Sequence, residues 1–173
     1  VLKWAEVALG YTLSQGTYLQ GVCALGIAIG AVMAAKMVPL NRAVTVIPLG
    51  ILMGAVVILM VVAKSVWIAA PLIILIGGLA GYFVVPMNAL LQHRGHILMG
   101  AGHSIAVQNF NENLSILCMI GIYALLISLD LSIYIVIALF GAFVSGSMWL
   151  VRKRHQYNLT QGPLPAIPEG TGH

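Results

Sequence analysis

Residues 100–129 read GAGHSIAVQNFNENLSILCMIGIYALLISL, and the two halves of this stretch differ in character. The second half, from Ile116 to Leu129, is apolar and typical of a helix in a membrane. The first half places Gln108, Glu112 and three asparagines within six positions. Unpaired polar groups in hydrocarbon cost several kcal/mol, so these side chains are expected to face protein or a watery cavity. The stretch therefore predicts a membrane helix that carries a polar sector.

The composition of the whole chain agrees with a membrane location. Hydrophobic residues make up 61% of the sequence and charged residues 7%, whereas a soluble domain has about 25% charged residues. This charge is too sparse to cover a soluble surface. The net charge of +4 comes from basic residues scattered through turns and one tail, without interleaved aromatic residues, so no nucleic-acid partner is expected.

Further apolar runs on either side predict an all-α, polytopic integral membrane protein. Residues 1–11, VLKWAEVALGY, are expected to be the end of a preceding helix. Residues 1-151 form the predicted transmembrane helical bundle, and residues 152-173 a cytoplasmic disordered tail, because the latter are rich in proline and glycine. The five predicted full spans cover residues 17-37, 43-63, 66-91, 101-129 and 131-151.

Small residues and a proline mark the places where helices are expected to pack closely or bend. Glycines four residues apart let two membrane helices approach each other, and a proline inside a helix removes one backbone donor. A bend in the third span fits either a moving interface or a purely structural kink. The residues assigned to helix packing and kinking are Gly26, Gly30, Gly77, Gly78, Gly81 and Pro86.

Glu112 is the central candidate residue because of its predicted depth. A helix that begins near Gly100 places it about 18 Å along the axis, near the middle of a hydrocarbon layer about 30 Å thick. A carboxylate at this depth indicates function by default. The alternative is that the amides join helices and that Glu112 is protonated or paired with a base elsewhere. The candidate substrate-binding or gating residues are Glu112, Gln108, Asn109, Asn111, Asn113 and Asn88.

The sequence offers no set of residues for catalysis or for a cofactor. It contains no Ser-His-Asp arrangement, phosphate-cradling glycine loop or paired acids, so an enzyme is not predicted. His93 and His96 fall in a predicted polar loop and His103 at a helix start, without a nearby cysteine or carboxylate. They are interpreted as interfacial residues rather than metal ligands, and neither a metal nor a cofactor is expected.

The loop charges predict the orientation of the chain in its membrane. Loops with an excess of Lys and Arg stay on the cytoplasmic side. The alternating loops contain Lys64 and Asp130 only, so the C-terminus is predicted to be cytoplasmic. The basic residues of the other loops and the tail are Lys36, Arg42, Arg94, Arg152, Lys153 and Arg154.

Several runs resemble the bacterial lysophospholipid transporters of the major facilitator superfamily. They are GGLAGYFVVPMNALLQHRG at 77–95, GAGHSIAVQNFNEN at 100–113 and GIYALL at 121–126. Upstream, TYLQGVCALGIAIGAVMAAKMV at 17–38 is similar to the second half of the same family. The resemblance extends to about residue 151 and implies the C-terminal six-helix half of such a transporter, with an N-terminal six-helix half missing.

This resemblance implies movement of lysophosphatidylethanolamine and related lysolipids from the outer to the inner leaflet of the bacterial inner membrane. An acyltransferase/acyl carrier protein synthetase partner would reacylate them there, and membrane lipids would surround the protein. Glu112 would attract the ethanolamine ammonium or hold a conformational salt bridge, and the glycines and prolines of the third span would let the acyl chain pass. The alternatives are an exporter of small amphiphilic molecules from the same superfamily and a non-transporting membrane scaffold.

Overall fold

The computed structural model describes residues 1–160, and this part of the chain is helical without strands. Five segments are long and apolar enough to cross a membrane, which confirms the all-α polytopic fold. One of these five combines a 3-10 helix with the α-helix that follows it. The helices are α1 (Leu2–Leu9), α2 (Leu13–Met37), a 3-10 helix (Leu40–Val46), α3 (Ile47–Leu59), α4 (Val66–Met99), α5 (Ala101–Ser128) and α6 (Ile133–Thr160).

The boundaries of several helices differ from those predicted. The first span begins at Leu13 rather than at residue 17, because Thr12 caps it: the Gln15 N–H donates to the Thr12 hydroxyl, and the Thr12 N–H donates to Gln15 Oε1 at 3.0 Å. The second predicted span, 43-63, is divided into the 3-10 helix and α3, which ends at Leu59.

The predicted polar loop and the first residues of the predicted tail are helical. The helix α4 continues through the predicted polar loop of Gln92–His96 and ends only where Gly100 has a positive φ of 80°. The helix α6 continues through Arg152–Arg154 to Thr160, so residues 152–160 are not a disordered tail. The rest of the predicted tail, 161–173, lies outside the described residues. The polar residues were expected to end each span, but both helices continue through them. A polar side chain can mark where a helix leaves the hydrocarbon without ending the helix itself.

The helices α2 and α4 pack against each other through glycines. A Cβ on Gly26 would lie 2.5 Å from the carbonyl oxygen of Ile74, and a Cβ on Gly30 would overlap the carbonyl group of Gly78. On the other side of this contact, a Cβ on Gly81 would overlap the carbonyl oxygen of Ile27. The two backbones therefore touch along the predicted glycine stripes, and the passage of an acyl chain beside the α4 glycines stays a prediction.

The helices α3 and α6 form a second close pair. Gly54 packs against the backbone of Gly141 and the side chain of Ser145, and Gly50 packs against Met148. The Ser145 hydroxyl also donates to the carbonyl oxygen of Ile51 at 3.2 Å. Because its neighbour in α3 carries no side chain at these positions, α6 is fixed closely from Gly141 to Met148, around its middle.

The buried core lies where α1 meets the beginnings of α4 and α6, at the end of the bundle that carries Lys64. Trp4, Ile73 and Val136 are the largest fully buried side chains of the described residues. They join α1, α4 and α6 at one point. The helix α5 contributes no buried residue to this core, whose buried members come from α1, α2, α4, α6 and the turn that follows α3.

Candidate functional site

The polar helix α5 is held at its two ends. Near its start, Ser104 is buried against Gly95 of α4, where an added Cβ would overlap the Ser104 hydroxyl. Near its end, α5 meets the beginning of α6 across a short turn. Between these contacts it is open, and every residue from Asn109 to Cys118 is exposed. Residues 109–113 of the predicted polar sector are therefore not covered by any other described helix, whereas Gln108 is half-buried.

The sector begins on the line of α5 that faces α4 and continues around the helix. With 3.6 residues per turn, Gln108 lies about 40° from Ser104, Glu112 about 80° and Asn113 about 180°. Gln108 is accordingly half-buried, whereas Glu112 and Asn113 are exposed. The Oε1 atom of Gln108 is buried and has no hydrogen-bond partner among residues 1–160. It is a buried acceptor that residues 1–160 leave without a donor.

Some of the polar side chains are satisfied by their own helix. The Asn113 amide donates to the carbonyl oxygen of Asn109 at 2.8 Å, and the Ser115 hydroxyl donates to that of Asn111 at 2.7 Å. In the part of the chain that is described, the Glu112 carboxylate has neither a hydrogen bond nor an ion pair. Glu112 and the side chains of Asn109 and Asn111 thus remain available to a group that approaches from outside the bundle.

Asn88 does not join this sector through a hydrogen bond. It is half-buried on α4, two residues after the buried Pro86. No side-chain hydrogen bond within residues 1–160 links it to α5. The helix continues through Pro71 and Pro86, and the bend expected at Pro86 stays a prediction, as does the role of Asn88.

An apolar cleft between α5 and α6 was not expected from the sequence. It has a volume of about 290 Å³ and is lined by apolar side chains only. On α5, Met119, Ile122 and Leu126 are three and four residues apart, a spacing that could have indicated a common face. The cleft itself could not be inferred, because it depends on how far α6 lies from α5. The α5–α6 cleft is lined by Met119, Ile122, Leu126, Leu139, Phe140 and Phe143.

The cleft and the polar sector share one face of α5. Gln108, Glu112 and Ser115 are followed at intervals of three or four by Met119, Ile122 and Leu126, so all six follow one stripe of the helix. The stripe is polar for its first half and apolar for its second, over about 27 Å. Such a surface complements a molecule that has a polar head and a single hydrocarbon chain.

The other side of Phe140 opens into a larger cleft of about 530 Å³. Tyr123 of α5, Gln20 of α2 and Lys3 of α1 line it together with apolar residues of α6. The buried Trp4 also borders this cleft, and its Nε1–H has no partner among the described residues. Within residues 1–160 no three His, Cys, Asp or Glu side chains are grouped as metal ligands.

Comparison with known proteins supports the resemblance seen in the sequence. The chain is 42% identical over 159 residues to the lysophospholipid transporter LplT of Shigella boydii serotype 4, and equally so to those of Shigella flexneri serotype 5b and Escherichia coli O1:K1. The match covers 90% of this chain, which spans about 40% of the length of these curated relatives. No family model and no solved structure matches the chain. The resemblance to lysophospholipid transporters is confirmed.

Proposed function

We propose that this chain is the C-terminal half of a major facilitator transporter that moves lysophospholipids from the outer to the inner leaflet of the bacterial inner membrane. The relatives at 42% identity are named lysophospholipid transporters, and the five apolar spans fit a multi-pass membrane protein. Lysophosphatidylethanolamine is the proposed principal substrate. An acyltransferase/acyl carrier protein synthetase that reacylates it in the inner leaflet is the proposed functional partner.

The observation that carries this proposal is the divided stripe of α5. A lysophospholipid has a charged head group and one acyl chain, and the stripe offers a polar surface and an apolar cleft in succession along one helix. The head group would lie beside Glu112 and the neighbouring amides, and the acyl chain would enter the α5–α6 cleft. This cleft is favoured over the glycines of α4 as the proposed acyl site, since those glycines pack against α2.

The rest of the transporter would lie against the open side of α5. Transporters of this type hold their substrate between two repeats that rock about a site near the middle of the membrane. The exposed residues Asn109–Asn113 would then line the cavity between the halves rather than contact lipid. Lys36, Arg42 and the basic residues of α6 would lie on the cytoplasmic side, as the loop charges favour.

The test is the uptake of labelled lysophosphatidylethanolamine into membrane vesicles that contain the full-length protein, with and without Glu112→Gln. A hydrogen bond to a charged group contributes about 1.5–3 kcal/mol, so loss of the carboxylate should raise KM about tenfold or more. Glu6→Gln is the matched control: it removes one carboxylate from the exposed Lys3–Glu6 pair and should leave uptake unchanged. Unchanged uptake with Glu112→Gln would exclude a substrate role for this carboxylate.

A change of head group separates the two roles considered for Glu112. A glycerol-headed lysolipid has no cation, so attraction of the ammonium predicts that Glu112→Gln weakens uptake of the ethanolamine lipid selectively. If Glu112 instead holds a conformational salt bridge, Glu112→Gln should reduce the uptake of both lipids equally. Export of unrelated small amphiphiles, without movement of either lysolipid, would instead support the exporter alternative.

A further inference from the structure

The last turns of α6 project beyond the thickness of a bilayer. The helix has 28 residues, which is about 42 Å at 1.5 Å per residue, against a hydrocarbon layer of about 30 Å. Its position is fixed by Gly50 of α3, which packs against Met148 one turn before Arg152. Arg152, Lys153 and Arg154, named here the α6 basic turn, are therefore held on an ordered helix immediately after the apolar segment.

Two aromatic residues flank the basic turn on one side of the helix. Trp149, Lys153 and Tyr157 are spaced by four residues and so follow a single line. The Lys153 Nζ lies 5.4 Å from the centroid of the Trp149 ring, within the range of a cation–π contact. Trp149 is 54% exposed and Tyr157 57%, so this line faces away from the bundle. Trp and Tyr in such positions commonly lie at the level of lipid head groups.

The charges of the basic turn have no counter-ion in the described chain. Within residues 1–160 the one ion pair joins Lys3 and Glu6, which belong to α1. Asp130 lies in the turn before α6, at the opposite end of that helix. Three adjacent exposed cations therefore lie at the membrane surface without a counter-ion among residues 1–160, and phosphate groups of anionic lipids lie at this depth.

We propose that the α6 basic turn, together with Trp149 and Tyr157, binds anionic phospholipids of the surrounding bilayer. The guanidinium and ammonium groups would contact the lipid phosphate, while the two rings lie among the head groups and glycerol backbones. A membrane lipid is favoured over a soluble acidic protein because the cations follow the apolar segment directly and Lys153 is held against an interfacial tryptophan. This inference does not depend on lysophospholipid transport, since it concerns another surface.

The test uses Trp149 as a local reporter. The full-length protein, with every tryptophan except Trp149 and the buried Trp4 replaced by phenylalanine, is reconstituted in phosphatidylcholine bilayers that contain a small fraction of brominated lipid. Each basic residue at an anionic surface favours binding about fivefold, so brominated phosphatidylglycerol should quench Trp149 at least about twice as strongly as brominated phosphatidylcholine. This ratio should fall to about one in Arg152→Gln/Lys153→Gln/Arg154→Gln, and decrease in 1 M salt, where charges are screened beyond about 3 Å.

Trp67 provides the matched control within the same chain. It is 89% exposed at the opposite end of the bundle, and no basic cluster surrounds it there. With Trp67 kept and Trp149 replaced by phenylalanine, Lys64 is the one basic residue close by in the sequence, so the phosphatidylglycerol preference should be smaller than at Trp149 and unchanged by the triple substitution. Equal quenching of Trp149 by both lipids, or a phosphatidylglycerol preference at Trp149 that survives the triple substitution, would overturn the proposal. Lysophospholipid uptake is not part of this readout, so failure of the proposed transport would leave it unaffected.

Discussion

At the scale of single residues, Ser104 determines how the polar helix meets the bundle. It is buried against Gly95, and the turn of the helix then places Gln108 partly against α4 and Glu112 in the open. A rotation of α5 by one residue would turn each of these side chains by about 100°. The contact between Ser104 and Gly95 therefore sets which polar groups are available to a substrate.

A substitution at Gly95 tests this contact. In Gly95→Ala the new Cβ would lie 2.8 Å from the Ser104 Cβ as well as overlapping its hydroxyl, so we expect a loss of about 1–3 kcal/mol in stability. Adding Ser104→Gly removes both atoms and should restore part of the loss. Gly102→Ala is the control, since nothing lies within 4 Å of its added Cβ. Thermal unfolding of the purified protein measures all three, and equal effects of Gly95→Ala and Gly102→Ala would contradict the contact.

At the scale of helices, the bundle consists of two tightly packed pairs and one loosely attached helix. The pairs α2–α4 and α3–α6 approach through glycines, whereas α5 is exposed along its middle. In a membrane, packing of this kind replaces the hydrophobic effect as the main attraction between helices. The pairs are expected to move as rigid units, and α5 is expected to be the helix that responds to substrate.

The α2–α4 contact can be tested with two glycines of the same helix. Gly30→Ala should destabilise the protein by about 3 kcal/mol or more, because its Cβ meets the backbone of Gly78, which cannot turn aside as a side chain can. Gly21→Ala has nothing within 4 Å and should be neutral or stabilise α2 by up to about 1 kcal/mol. Unfolding in mixed micelles compares the two. A similar result for both variants would mean that α2 and α4 do not touch along this stripe.

The sequence was sufficient to predict the helices but not their ends or their neighbours. Apolar runs predict the spans because the hydrocarbon thickness fixes the length of a crossing helix. The helix α4 ends at Gly100 and α6 continues past Arg154 to Thr160. The polarity of the side chains does not predict either position, because it depends on the backbone conformation. Composition located the polar sector on α5, yet the α5–α6 cleft could not be foreseen, since it depends on residues of α6 that are distant in the sequence.

At the scale of the whole molecule, one side of the bundle is closed and the side of α5 is open. The chain spans about 40% of the length of its relatives, and the exposed amides and carboxylate of α5 are unsuited to lipid. We expect the remainder of the transporter to cover this side. The surfaces of α2 and α6, in contrast, expose mainly apolar side chains, which suit contact with lipid.

Cysteine labelling tests this arrangement. With Cys23 and Cys118 replaced by alanine, Asn113→Cys should react with a maleimide faster in the full-length protein than in residues 1–173 alone, because it would line a watery cavity between the halves in the first case and face lipid, where the reactive thiolate does not form, in the second. Trp67→Cys is the control, as it is highly exposed far from α5 and should react equally in both. Equal rates for Asn113→Cys would show that its surroundings do not change and that the missing half lies elsewhere.

The open face of α5 also bears on how the protein is made in the cell. A translocating helix with a carboxylate at its centre enters lipid less readily than the apolar α3 or α6, because a central acidic residue opposes insertion by about 2.5–3.5 kcal/mol. The helix α5 would therefore depend on helices synthesised earlier for its own insertion. An orphan half would leave Glu112 facing lipid, so the same free-energy cost would also oppose the stable residence of this half in the membrane without the rest of the transporter.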